Sequence, residues 1–284
     1  MGVPRGLIVT ADDLGASIEV NDAVAQAHRD GILTAASLMV TGAAAADAVT
    51  RARTMPGLGV GLHVVLVEGR PALPPERLPA LVGADGRFRT DMARLALRLF
   101  ADPAARRQLA AEVEAQFAAF AATGLPLDHV NAHKHFHLHP TIAATVLRIG
   151  KRYGMRAVRA PLERGTPGVE RWWARRLQRR LRRAGLLVPD QVIGLAWTGA
   201  FTPERMRSAL AKLPPGLTEV YTHPATGPYP GAAPGYLYEA ELAALTDRLA
   251  IATIRDKGLT HGHFRSFLPA ADLPAADLPD AAPS

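Results

Sequence analysis

Seven short apolar runs, separated by stretches with helical character, restrict the fold of this chain more than any other feature. They are GLIVT (6–10), TAASLMV (34–40), LGVGLHVVL (58–66), LPLDHVNAH (125–133), MRAVRA (155–160), QVIGLAW (191–197) and LTEVYTH (217–223). Helical patterns fall at 17–30, 43–53, 92–123 with a break at Asp102-Pro103, 141–153, after Thr202-Pro203, and 237–257. In the first of these, Ile18, Val24 and Ala25 are expected to be buried. Strand-then-helix alternation implies a parallel sheet with right-handed crossovers. About seven such units predict an α/β fold, a closed or nearly closed (β/α) barrel in one domain over 1–268. A Pro-rich loop or lid follows the third run, and a basic insertion spans roughly 161–190. The Ala/Pro/Asp-rich repeat at 269–284 reads as a disordered tail.

In such barrels, side chains at the C-terminal strand ends meet on one face. Asp12, Asp13, His63, His133 and His223 all follow the apolar part of a run. One Asp and two His are a ligand set for one divalent metal ion, Zn²⁺ or Mg²⁺, and the second Asp is left as a base. The chain has no cysteine, so thiolate sites are excluded. Read alone, DDLG is also a capped strand-to-helix turn, and His63 a satisfied core histidine. Five of the ten histidines, however, crowd into 129–139. If the strand persists there, period-two spacing puts them on one face.

Charge is unevenly placed. From Arg148 to Arg183, thirteen Lys and Arg stand against Glu163 and Glu170, a local net of +11 in a chain of net +7. Within the insertion, Trp173, Leu177, Leu181 and Ala184 form one helical stripe and seven arginines cover much of the rest. This composition suits an interfacial helix on an anionic membrane surface through Arg171–Arg183, or else a solvated helix whose Trp pair packs on the barrel. No run reaches the ~20 apolar residues of a membrane span. The expected location is cytoplasmic, with peripheral contact at the inner membrane.

TADDLG, VNDAVAQAHRDGILTAASLMV, VGLHVVLVEGRP and DHVNAHKHFHLHP, in that order from about Leu7 to Tyr229, resemble the YdjC-like carbohydrate deacetylases, and within them the hopanoid biosynthesis-associated branch. The resemblance implies a distorted (β/α) barrel that hydrolyses the N-acetyl group of an N-acetylglucosaminyl hopanoid lipid. It places a general base on Asp12, metal ligands on Asp13, His63 and His133, and a general acid on His223. His135, His137 and Arg159 are weaker expectations for substrate contact. Two departures from the family pattern are Leu14, where an aromatic is usual, and Asn131 with Lys134 in the His-rich motif. Three other readings remain: a soluble chito-oligosaccharide deacetylase, a pseudoenzyme that binds sugar, and a basic membrane- or nucleic-acid-binding protein. The last leaves the Asp and His motifs unexplained, and no nucleic acid is expected as a partner.

Overall fold

The computed structural model describes residues 5–165 and 168–269. Seven parallel strands form its centre: β1 (Arg5–Leu14), β2 (Ala35–Leu38), β3 (Gly59–Val64), β4 (Val130–Ala132), β5 (Gln191–Ile193), β6 (Gly216–Thr222) and β7 (Thr260–His261). The order across the sheet is β4-β3-β2-β1-β6-β5, with β7 pairing the start of β1. β1 is the axis. It pairs with β6 along Arg5 to Ala11 and with β2 from Thr10. Its run Leu7-Ile8-Val9 is fully buried, as expected of a strand covered on both faces.

The run at 155–160 is not a strand of its own. Only Ala157 and Val158 make single bridges, to Leu187 and Val130. Five backbone hydrogen bonds, between Val130 and Ala157, Arg159 and Val130, Val158 and Leu187, Leu187 and Arg156, and Val192 and Leu162, close the gap between β4 and β5. The barrel is therefore distorted: continuous from β4 round to β5, and closed by a thin seam.

Helices α1 (Ile18–Asp30), α2 (Ala45–Ala52), α3 (Met92–Ala101), α4 (Pro103–Ala122), α5 (Pro140–Arg152), α6 (Gly168–Arg183), α7 (Pro203–Ala211), α8 (Tyr238–Leu245) and α9 (Arg248–Asp256) surround the sheet. Ser17 caps α1, its hydroxyl accepting from Val20 N at 3.3 Å. Asp102 ends α3 and caps α4 by accepting from Ala104 N at 2.7 Å, with Pro103 at the first helical position. Val24 is buried as expected, but Ala25 is only half-buried and Ile18 is 46% exposed, because the face that packs is Val20, Ala23, Val24 and Ala27. The single helix expected over 237–257 is two, since Asp247 breaks it and caps α9 through Ala250 N.

The Pro-rich insertion after β3 is anchored and does not swing free. The buried Glu112 of α4 accepts from Ala72 N and Leu73 N at 2.8 and 3.0 Å. Gln108 accepts from Ala80 N, and Gln116 pairs with both backbone groups of Val65. From 270 onward the Ala/Pro/Asp-rich tail lies outside the described residues, as do Thr166 and Pro167 of the basic insertion.

At the N-terminal end of the barrel one carboxylate ties the chain's last described turn to β4. Asp128 accepts from His129 Nδ1 (2.9 Å), His263 Nδ1 (2.6 Å), Phe264 N (3.2 Å) and Arg265 N (2.9 Å). Burial opposes its charge, but these two imidazoles hold its carboxyl well below the ordinary range. Because the folded-state pKa is depressed, this stabilisation is complete above the unfolded value near 4 and disappears as pH falls below it. Asp128→Ala strips four donors of their acceptor and is expected to cost about 3 kcal/mol in chemical denaturation at neutral pH. The difference from the parent should shrink in acid.

Candidate metal centre

β1 delivers two adjacent carboxylates to one place. Neighbours on a regular strand point to opposite faces. Here the register against β2 slips between Ala11 and Leu14, and Asp13 takes a left-handed conformation with φ 62°. Asp tolerates that region better than most residues. Both carboxylates consequently reach the same imidazole from its two sides. Asp13 Oδ1 lies 3.1 Å from His63 Nε2. Asp12 Oδ1 accepts from Ser37 Oγ at 2.9 Å, which in turn is 3.0 Å from His63 Nδ1. Asn21 of α1 holds the turn after Asp13: its Oδ1 accepts from Gly15 N, and its Nδ2 donates to Ala44 O and Asp47. Gly42 must lack a side chain, because a Cβ there would meet the Gly15 carbonyl at 2.2 Å.

His133, directly after β4, completes the group. Its Nδ1 is 3.2 Å from Asp13 Oδ1 and 3.3 Å from His63 Nε2. One donor atom each from Asp13, His63 and His133 fall within 4.8 Å of one another. Asn131 sets the tautomer. Its Nδ2 donates to Asp12 Oδ1 at 2.9 Å, which turns its Oδ1 to within 2.7 Å of His63 Nδ1. The proton therefore sits on Nδ1, and Nε2 keeps its lone pair towards Asp13, as a metal ligand requires.

Charge points the same way. Arg159, fully buried, donates Nη1 to Asp12 Oδ2 (2.5 Å) and Nη2 to Asp12 Oδ1 (3.0 Å). Its Nε and Nη2 donate to Glu219 Oε1 at 2.9 and 2.7 Å, and its guanidinium stacks 4.6 Å from the Tyr221 ring. Burial opposes charge on Asp12, but the guanidinium and the His63 ring hold its carboxyl far below the usual carboxylate range. The guanidinium is shared by Asp12 and Glu219, whereas Asp13 faces only the imidazoles of His63 and His133 and has no cationic Lys or Arg partner among the described residues. A divalent cation held by Asp13, His63 and His133 would neutralise that carboxylate, and three protein ligands leave further positions open. The residues present fit such an ion.

The histidine run does not continue as a strand. β4 stops at Ala132, and 133–138 form a tight helical turn in which Lys134 and His135 both have φ near +50°. The histidines therefore diverge. His135 Nε2 lies 3.1 Å from the Tyr221 hydroxyl, and burial together with Arg159 pushes this imidazole well below its ordinary pKa. His137 Nε2–H donates to the Arg159 carbonyl at 2.8 Å, and burial lowers it to about 4. His139 packs on Phe100 with centroids 4.4 Å apart, and His129 lies at the far end of the barrel with Asp128. Arg159 is placed behind the site with its guanidinium committed to Asp12 and Glu219, and His137 is held there through Nε2, its buried Nδ1 having no partner among the described residues. Arg159 holds Asp12, and His137 holds the Arg159 backbone.

His223 follows β6, and its backbone N–H donates to the buried Glu241 of α8. Its ring stands between Tyr221 and Tyr236, at 5.6 and 5.3 Å, and its buried Nδ1 has no partner among the described residues. Asp13 and His133 open into a cleft of about 510 Å³ walled by Met39, Arg70, Arg87 and Tyr229. Lys134 pairs with Glu68 at its rim. Sequence reasoning missed Ser37, Glu219, Glu241 and the tyrosines. A polar residue inside an otherwise apolar run, as at Ser37 and Glu219, was the available signal.

Removing either imidazole, by His63→Ala or His133→Ala, is expected to abolish stoichiometric metal binding. Asn131→Ala should weaken it about 10–100-fold, because the tautomer is no longer imposed. Calorimetric titration of metal into the chelated protein reads both. The neighbouring aspartates raise the pKa of His63 against its burial, so affinity should fall in acid, where a proton competes for Nε2.

Comparison with known proteins agrees with this architecture. A carbohydrate deacetylase of Geobacillus stearothermophilus is 32% identical over 272 residues, 93% of this chain and 99% of that protein. One from Brevibacillus brevis is 39% identical over 160 residues, an alignment that spans 56% of this chain and 61% of its relative. A crystal structure of a putative cellobiose-phosphate cleavage protein from Enterococcus faecalis superposes with a TM-score of 0.76 at 22% identity, covering 94% of this chain and all of the other, and so shares the fold. The model of the family described as YdjC-like protein matches residues 6–256, and the chain belongs to that family.

Proposed function

We propose that this protein is a metal-dependent carbohydrate deacetylase that hydrolyses the N-acetyl group of an amino sugar. The observation that carries the reading is the Asp13–His63–His133 cluster at the strand ends, with Asp12 locked beside it. Relatives named carbohydrate deacetylase support it. Asp13, His63 and His133 would hold a divalent ion, which would supply Lewis acidity toward the acetyl carbonyl and lower the pKa of water. Zn²⁺ suits two imidazoles and one carboxylate.

The protein's own groups handle the protons. Asp12 Oδ1 already accepts from Ser37, Asn131 and Arg159, whereas Oδ2 accepts only from Arg159. Oδ2 therefore retains acceptor capacity and receives the proton of the attacking water. Arg159 keeps Asp12 ionised and fixes its plane, at some cost in basicity. His223 gives a proton to the departing amine, Glu241 having fixed its backbone. The products are acetate and a free amino sugar.

As the substrate we assign an N-acetylglucosaminyl hopanoid, acetylglucosaminyl-bacteriohopanetetrol. The motif resemblance to the hopanoid branch supports this choice, and so does a cationic, partly apolar outer surface. Mass spectrometry of the hopanoid and of chitobiose incubated in parallel, with and without chelator, tests it. Metal-dependent loss of acetyl from the hopanoid is the expected result, and loss from chitobiose alone would move the protein to soluble sugars. Asp12→Asn is expected to lower kcat by about 10²–10⁴ while the metal content stays stoichiometric.

A further inference from the structure

The Arg-rich helix α6 does not use its apolar stripe on the outside. Ala174, Leu177 and Leu181 are buried against the barrel, and Gln178 donates to Pro189 O. What faces outward is charge. Arg175, Arg176, Arg179, Arg180, Arg182 and Arg183 are all exposed, and Glu170 is the only acid on the helix. Arg182 pairs with Asp190, and the Arg176 guanidinium stacks 5.7 Å from the Trp172 ring. A solvated helix needs no such one-sided charge.

A second feature lies beside it. Val169 (73% exposed), Trp172 (55%) and Trp173 (36%) crowd the first turns of α6, and Leu97 (70%) and Phe100 (57%) protrude from α3. Leu97 and Phe100 are three apart and share one side of their helix. The two groups come from separate helices and flank the same turn, His139-Pro140. Phe100 packs on His139, and the next residue, Pro140, lines grooves with Trp172 and Trp173. Phe100, Trp172 and Trp173 thus flank the end of the turn that begins with the ligand His133, and Leu97 and Val169 are exposed on the same two helices.

We infer that this surface docks the protein on an anionic lipid bilayer, with the aromatic patch entering the interface and the arginines of α6 lying along the headgroups. Trp and Phe flanked by cations is the pairing that such an interface rewards. A second copy of the chain would bring like charges together, and nucleic acid would gain nothing from Leu97, Phe100 and Val169. Helix α6 begins at Gly168, in the segment that follows Arg159 at the strand ends, the end of the barrel that also carries the metal ligands. The inference does not need a hopanoid as the substrate, because binding is measured without one.

The test is co-sedimentation of the full chain with phosphatidylcholine vesicles and with vesicles containing phosphatidylglycerol, at low and high salt. Salt-sensitive binding to the anionic vesicles alone is expected. The triple variant Arg175→Glu, Arg179→Glu, Arg183→Glu should weaken it roughly a hundredfold or more. Phe100→Ser, which leaves the charge unchanged, should also weaken it several-fold, with thermal melting showing both variants folded. Absence of binding to anionic vesicles at low salt would overturn the proposal. So would a Phe100→Ser variant that binds as the parent does, or equal or tighter binding to an oligonucleotide, since these indicate a plain polyanion surface.

Discussion

The guanidinium of Arg159 is the interaction around which the site is assembled. It lies with no solvent exposure between Asp12 and Glu219, roofed by the Tyr221 ring, with its own carbonyl held by His137. Three pieces of chain remote in sequence, the end of β1, the segment after β4 and the middle of β6, are joined by that one side chain. Buried ion pairs of this kind are weak as net stabilisers, because desolvation offsets most of the attraction. Their value here is geometric. Asp12 cannot rotate while Arg159 is in place and rests ionised, and Asn131 and Ser37 then take their orientation from Asp12. The tautomer of His63 follows from Asn131, so a single cation determines where a metal-ligand lone pair points.

This ordering explains how far the molecule could be read from its residues. Strand runs and the Asp and His at their ends were legible, because period and position suffice for them. The extent of the strands was less so. MRAVRA looks like a strand, yet its residues make only single bridges, since the chain must turn there to aim Arg159 inward. The histidine run looked periodic, and two left-handed residues dispersed it. Asn131, a departure from the family pattern, turns out to do the orienting that a carboxylate might be thought necessary for. Arg159 itself was visible only as a basic residue at a strand end. Nothing local distinguishes a cation that meets sugar from one that meets two buried acids.

The apolar stripe of α6 illustrates a related limit. Leu177 and Leu181 at helical spacing were correctly read as one face, but spacing does not say what covers a face. The barrel covers it. The side of α6 left to the solvent is the one dense in arginine, and the aromatic residues that accompany it come partly from α3, some seventy residues away. A surface patch made by two helices cannot be seen in either of them.

The seam that closes the barrel has a mechanical consequence. Between β4 and β5 five backbone hydrogen bonds bridge the gap among the described residues, through an irregular segment, whereas β1 and β6 are in register over seven residues. Local opening follows the fewest bonds, so this is where the ring parts first. Arg159 is itself one of the bonded residues, and α6 hangs between it and Leu187, the other lip of the seam. A strain applied to α6 is therefore in series with the clamp on Asp12. The molecule can lose its working geometry along this line while β1, β2, β3 and β6 remain intact, which makes inactivation and unfolding two separate events.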